Sequence, residues 1–128
     1  MDTIADMLTQ IRNAQAVSKA QVSVSYSNLK YEIAKILEKK GFIESVEKKG
    51  RKIKKLIEIN LKYNNKLPAI SGIKRISKPG QRIYLPAKKI KTSKNSYKTA
   101  IVSTSKGLMT DKEAKKQRLG GEVLFEIW

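Results

Sequence analysis

The sequence has no cysteine and no histidine, only three prolines and seven glycines, and 6% aromatic residues. Without cysteine there are no disulfides, thiolate nucleophiles or Cys-based zinc sites, which fits a reducing compartment. Without histidine the chain lacks the side chain most used for acid–base work at neutral pH, and also the commonest metal ligand. This composition argues against ordinary hydrolase chemistry, and no cofactor or metal is expected. Long apolar runs are missing too. Nothing approaches the roughly 18 residues of a membrane span, and no basic-then-apolar leader opens the chain. Asp2 and Asp6 stand where a transit peptide avoids acids. A soluble protein that works where it is made, away from membranes, is the expectation.

Acidic residues are also scarce: 11 against 28 lysines and arginines, for a formal charge of +17. Residues 1–64 carry 13 basic and 7 acidic side chains and residues 65–128 carry 15 and 4, or +6 and +11. A field of that size attracts polyanions and is relieved by them. At 128 residues the chain can form one compact domain or two small ones.

Periodicity predicts the order of elements. Thr3 caps a first helix, with Asp6 at capping-box spacing and Ile4, Met7, Leu8 and Ile11 on one face. Arg12 and Asn13 close that helix. Gln21 to Tyr26 alternates as a half-buried strand. Ser27 or Asn28 then caps a second helix with Leu29, Ile33, Ile36 and Leu37 on its stripe, and Gly41 stops it. Phe42 to Glu47 and Ile53 to Tyr63 read as two strands around Lys48-Lys49-Gly50-Arg51, a basic turn that either meets a phosphate backbone or is a solvated tip. Tyr63 to Pro68 reads as a linker, because proline cannot continue a central strand.

Beyond it, Ala69 to Ser77 and Arg82 to Leu85 are short strands around the turn Lys78-Pro79-Gly80-Gln81, with Gly80 where φ can be positive. Pro86 to Lys91 is at most one helical turn, and Lys88 to Lys98 is a basic, mobile loop whose only aromatic, Tyr97, stacks or pins it. Thr99 to Ser105 is a strand opening into a loop. Thr110 and Glu113 start a helix Asp111 to Arg118, ended by Gly120 and Gly121. Glu122 to Trp128 closes the chain as a strand, with Val123, Phe125 and Ile127 alternating against Leu124 and Glu126. The fold class is α+β in two small domains. Residues 1–64 form a helix-strand-helix-strand-strand unit, and residues 65–128 a mainly β unit with one short helix.

Ser103-Thr104-Ser105-Lys106-Gly107 concentrates small donors, one cation and a glycine at a strand exit. The hydroxyls either meet base edges, 2′-hydroxyls or phosphates, or merely satisfy loop backbone. The same run contains S-x-x-K, but neither S-D-N nor K-T-G accompanies it, so no catalytic residue is assigned. Tyr84 beside Arg82 is a stacking surface next to a phosphate contact, or a core aromatic. Glu122 after Gly120-Gly121 accepts from a base or 2′-hydroxyl, or forms an ion pair. Lys88 and Lys91 are further candidates for backbone contact.

Several motifs carry a family resemblance. They are Ile4-Ala5-Asp6-Met7-Leu8-Thr9-Gln10-Ile11-Arg12-Asn13-Ala14, Asn28-Leu29-Lys30 with Gly41-Phe42-Ile43, Ser103 to Asp111, and Gly120-Gly121-Glu122-Val123-Leu124-Phe125-Glu126-Ile127-Trp128. Together and in this order they closely resemble bacterial-type ribosomal protein S8. Asp2-Thr3 replaces the Asp-Pro often found in the family, and Asn95-Ser96-Tyr97-Lys98 replaces its glycine-containing stretch.

The resemblance implies a non-enzymatic, structural protein of the small ribosomal (30S) subunit that binds the central domain of 16S-type rRNA and supports assembly and translation. Its location would be the cytoplasm of a bacterium, or an organelle that makes its own ribosomes. By motif, Thr104 and Ser105 are the specific RNA readers, and Ser103, Lys106 and Gly107 shape and charge the loop. Tyr84 and the pair Gly121-Glu122 lie near the same site. Arg12, Asn13 and Lys30 are subsidiary contacts of the N-terminal domain; Arg82, Lys88 and Lys91 in the C-terminal half are subsidiary candidates from their charge alone. Ribosomal protein S5 is the implied neighbour. Two alternatives stand beside this reading: repression of its own messenger through an RNA that imitates the ribosomal site, and a basic DNA-binding regulator. The second needs a groove-reading helix, for which Asp111 to Arg118 is short and weakly patterned.

Overall fold

The computed structural model describes residues 3–51, 54–89 and 98–128. The expectations for Ile53, Lys91, Lys94 and Tyr97, and for the Asn95 to Tyr97 departure, lie outside the described residues. The chain separates into two compact units, one ending at Ile70 and the other running from Ser71 to Trp128.

In the first unit, helix α1 (Thr3–Ala16) buries Ile4, Met7, Leu8, Ile11 and Ala14, a stripe at helical spacing. Thr3 is the first helical residue rather than the cap, and the helix runs three residues past Asn13. Strands β1 (Gln21–Ser25), β2 (Ile43–Lys49) and β3 (Leu56–Leu61) form an antiparallel sheet with β3 in the centre. Register places Val24 opposite Ile57 and Val46 opposite Ile59, so one face is apolar and buried. The other face is a polar ladder: Gln21 donates to Asn60 at 3.0 Å and Asn60 to Ser45 at 2.7 Å.

Helix α2 (Asn28–Lys39) is capped by Ser27, whose hydroxyl accepts from the Lys30 N–H at 3.1 Å. Its buried stripe is Lys30, Ile33, Ala34 and Leu37; Leu29 and Ile36, expected there, are only half-buried. The presumed linker is instead a hairpin. Strands β4 (Tyr63–Asn64) and β5 (Leu67–Pro68) pair across Asn65 and Lys66, both left-handed at φ 52° and 69°. Two consecutive left-handed residues are what a type I′ hairpin turn requires.

The second unit is built around β10 (Gly121–Ile127). On one edge it pairs with β8 (Thr99–Thr104), which in turn pairs with β9 (Gly107–Thr110). On its other edge it pairs with β6 (Ile73–Arg75) and β7 (Tyr84–Leu85). Strand β9 was not foreseen: the expected loop after β8 is a hairpin. A bulge between Val123 and Phe125 breaks the expected alternation, so Val123, Leu124 and Phe125 are all buried. Between β6 and β7, Lys78 and Gln81 exchange both backbone hydrogen bonds at 2.9 Å around the predicted Pro79-Gly80 turn, but Gly80 is not left-handed. Ala87–Lys89 is the single helical turn anticipated. Helix α3 (Asp111–Lys116) is capped by Thr110, which accepts from the Glu113 N–H at 3.3 Å. It packs Ala114 against Val102, Met109 and Val123.

All three described α-helices end the same way. A left-handed residue follows the cap, and the next N–H reaches back five residues: Lys19 to Ala14, Phe42 to Leu37, and Leu119 to Ala114, each at 2.9 Å. The left-handed residue is Ser18, Gly41 or Arg118. Helix α3 is thus ended by Arg118 at φ 57°, not by the glycine pair. A left-handed residue with a Cβ costs about 1 kcal/mol over glycine. Arg118→Gly is therefore expected to raise stability by up to about 1 kcal/mol, read as a higher urea midpoint with unchanged slope.

Candidate nucleic-acid interface

Register brings the predicted residues of the second unit together. Tyr84 on β7 lies opposite Glu122 on β10, Glu122 opposite Ser103 on β8, and Ser103 opposite Leu108 on β9. Directly opposed residues of an antiparallel sheet share a face, so these four form one rung. The next rung, Leu85, Gly121, Thr104 and Gly107, points to the other face. Tyr84 is 65% exposed, which sets aside the core-aromatic alternative. The Ser77 hydroxyl, itself buried, accepts from the Ile83 N–H at 2.9 Å and fixes the approach to Tyr84.

Glu122 forms an ion pair: Arg82 Nη1 stands 3.5 Å from its Oε2. The carboxylate side chain is 13% exposed and the guanidinium side chain 54%, so the acid is covered while its cation faces outward. Neutralising the acid in this way leaves a surface that phosphate can approach.

The Ser-Thr-Ser run bends into a tight turn. Thr104 Oγ1 donates to the Gly107 carbonyl at 2.8 Å and accepts from the Lys106 N–H at 3.2 Å, so its donor is spent on the turn and one lone pair is left. Ser105, Lys106 and Gly107 are exposed, and the Ser103 and Ser105 hydroxyls hydrogen-bond to no other described residue. Gly107 lies at φ 107°, with open space where a Cβ would stand, so its requirement is dihedral rather than steric. At Gly121 the reverse holds: a Cβ would sit 2.1 Å from the Ser103 carbonyl oxygen.

The subsidiary residues are scattered. Lys88 is exposed on the helical turn after β7, and Lys91 is outside the described residues. Arg12 and Asn13 are exposed on α1 in the other unit. Lys30 is 5% exposed and turns inward, with Nζ donating to the Ser25 carbonyl at 3.0 Å and its hydroxyl at 2.8 Å. No phosphate reaches it without a change of rotamer. Leu108, on the same rung as Ser103, was missed with its strand.

Gly107→Ala is expected to cost about 1 kcal/mol through backbone strain alone. Gly121→Ala, which forces the strands apart, should cost roughly 2 kcal/mol or more. Chemical denaturation of the two variants measures the difference.

The ribosomal protein S8 family model matches residues 2–128. A protein of Mesoplasma florum named small ribosomal subunit protein uS8 is 50% identical over 127 residues, covering 99% of this chain and 98% of its own. The uS8 of Mycoplasmopsis pulmonis is 48% identical over 127 residues, 99% and 96% respectively. That of Synechocystis sp. is 47% identical over 129 residues, 99% and 97%. With its motifs set in the rungs just described and near-complete coverage of these relatives, the chain belongs to the ribosomal protein S8 family.

Proposed function

We propose that the hairpin end of the second unit reads an irregular site in a helix of the central domain of 16S-type rRNA. The protein is a structural constituent of the small ribosomal subunit in the cytoplasm, associates with rRNA and ribosomal proteins, and is not an enzyme. The observation that carries the site reading is the rung of Tyr84, Glu122 and Ser103 beside the Ser105-Lys106 turn. A-form RNA presents a narrow major groove that side chains cannot read, so recognition falls to distorted or unstacked sites and to 2′-hydroxyls. An exposed ring offers a flat surface to an unstacked base. Ser105 offers a hydroxyl with donor and acceptor both free, Thr104 one lone pair, and Lys106 a charge. Gly107 and Gly121 keep the turn tight and the rung closed.

Lysines elsewhere supply attraction without sequence choice. The central domain as target and ribosomal protein S5 as neighbour are supported by the motif resemblance. A DNA-groove reading is disfavoured, because α3 has only six residues.

The test is affinity for a central-domain hairpin and for a scrambled helix across a salt series. Two hydroxyl contacts at about 0.5–1.5 kcal/mol each predict that Thr104→Ala/Ser105→Ala weakens cognate binding about 5- to 150-fold. Scrambled-RNA affinity and the salt slope should not change. Thr104→Ser, which keeps the turn's hydrogen bonds, should bind like wild type. Equal loss on both RNAs would refute a reading role for the turn.

A further inference from the structure

The first unit carries a cluster of aromatics and lysines that the hairpin site does not use. It lies where β1 ends, α2 starts and the β2–β3 hairpin turns. Tyr26 follows β1 and Tyr31 lies in the first turn of α2, with ring centroids 6.2 Å apart. Lys48, from β2, places Nζ 4.5 Å from the Tyr31 centroid and 5.4 Å from that of Tyr26. Lys55, just before β3, lies 5.5 Å from Tyr26. The Tyr26 phenol donates to Asn28 Oδ1 at 2.8 Å and its N–H donates to the Lys55 carbonyl at 3.1 Å, so ring and hairpin are fixed together.

Three acids of this unit pair with other lysines: Glu38 with Lys35 at 3.6 Å, and Glu47 and Glu58 with Lys49 at 3.8 and 3.3 Å. Among the described residues, Lys48 and Lys55 meet no carboxylate. A cation held over an aromatic face is located without being neutralised, because the ring has a quadrupole and no net charge. Most surface lysines lose rotamer freedom when they grip an anion. These two have already lost part of it, so their full positive charge is presented in advance.

We propose that Tyr26, Tyr31, Lys48 and Lys55 form a second RNA site on the first unit, where the ring-held ammonium groups of Lys48 and Lys55 contact backbone phosphates. The proposal rests on the reading of this chain as an rRNA-binding protein. Its contacts are to phosphate and are independent of base sequence, unlike those of the Ser105 turn. The tyrosines act as positioning residues for the lysines.

The experiment uses the full chain with two RNAs, the central domain of 16S-type rRNA and a scrambled duplex, over a salt series. Lys48→Ala/Lys55→Ala should weaken binding to both RNAs and flatten the log–log salt slope by about 1.8, at about 0.9 per phosphate contact. Tyr31→Leu, which keeps an apolar side chain but removes the ring, should weaken both RNAs several-fold at unchanged slope. Tyr31→Phe, which keeps the ring, should restore binding. Urea midpoints near wild type establish that the variants fold.

An unchanged slope in the double-lysine variant overturns the proposal, and a loss of polyglutamate binding in that same variant would assign the patch to an acidic protein segment. Equal losses for Tyr31→Phe and Tyr31→Leu overturn the role of the ring. Failure of the hairpin reading appears instead as lost discrimination between the two RNAs with the slope effect intact, so the two failures are distinguishable.

Discussion

The second unit depends on how closely β10 lies against its neighbours at Gly120-Gly121. A Cβ at Gly120 would stand 2.6 Å from the Leu85 carbonyl oxygen, and one at Gly121 would stand 2.1 Å from that of Ser103. Both lie inside van der Waals contact, so any side chain here would push β10 from the Leu85 segment on one edge or from β8 on the other. Because β10 is hydrogen-bonded along both edges, the clearance at two alpha carbons sets the alignment of Tyr84, Glu122 and Ser103. The bulge one step along is held as firmly. The Leu124 carbonyl accepts from the N–H groups of Ile76 and Ser77 at 3.1 and 3.2 Å and from Arg75 Nη1 at 2.7 Å. A carbonyl that a regular ladder would pair once is here satisfied three times, which keeps the irregular strand in one register.

Charge and shape then divide the work. A net charge of +17 brings the protein to any polyanion and cannot choose among them. Choice requires groups whose direction is fixed, and under the proposed reading the hairpin supplies these mostly without charge: an exposed ring, hydroxyls and backbone. The one acid in the rung is shielded by Arg82, so it adds geometry without repelling phosphate.

Where packing repeats a local rule, the sequence showed it. The stripe of α1, the alternation of Val22 and Val24 in β1, and Gly41 as a stop were all legible, since 3.6- and 2-residue periods and left-handed glycine are local properties. The misses have physical reasons. Pro68 argued for a linker, yet β5 belongs to a two-stranded ribbon whose edge needs no donor from it. Strand β9 hid because Ser105-Lys106 lacks the Asn-Gly signature of hairpin turns, the left-handed position falling one residue later at Gly107. Arg118 took a conformation that residue statistics reserve for glycine. Lys30 sits at spacings of three, four and seven from Ile33, Ala34 and Leu37, on the core stripe, but hydropathy pointed to Leu29. The resemblance named the site residues, whereas the outward turn of Tyr84 and the commitment of the Thr104 hydroxyl needed coordinates.

Strand β10 comes after β6, β7, β8 and β9 in chain order, yet it is the strand that joins them. During synthesis from the N-terminal end, the first unit has all three of its sheet strands in hand long before the second has its centre. A nascent chain halted before Gly121 carries every lysine and arginine, but nothing on which Tyr84 and Ser103 can be aligned. If the hairpin end is the reading site proposed above, truncated copies adhere to RNA without discriminating among sites, and selectivity arrives only with β10.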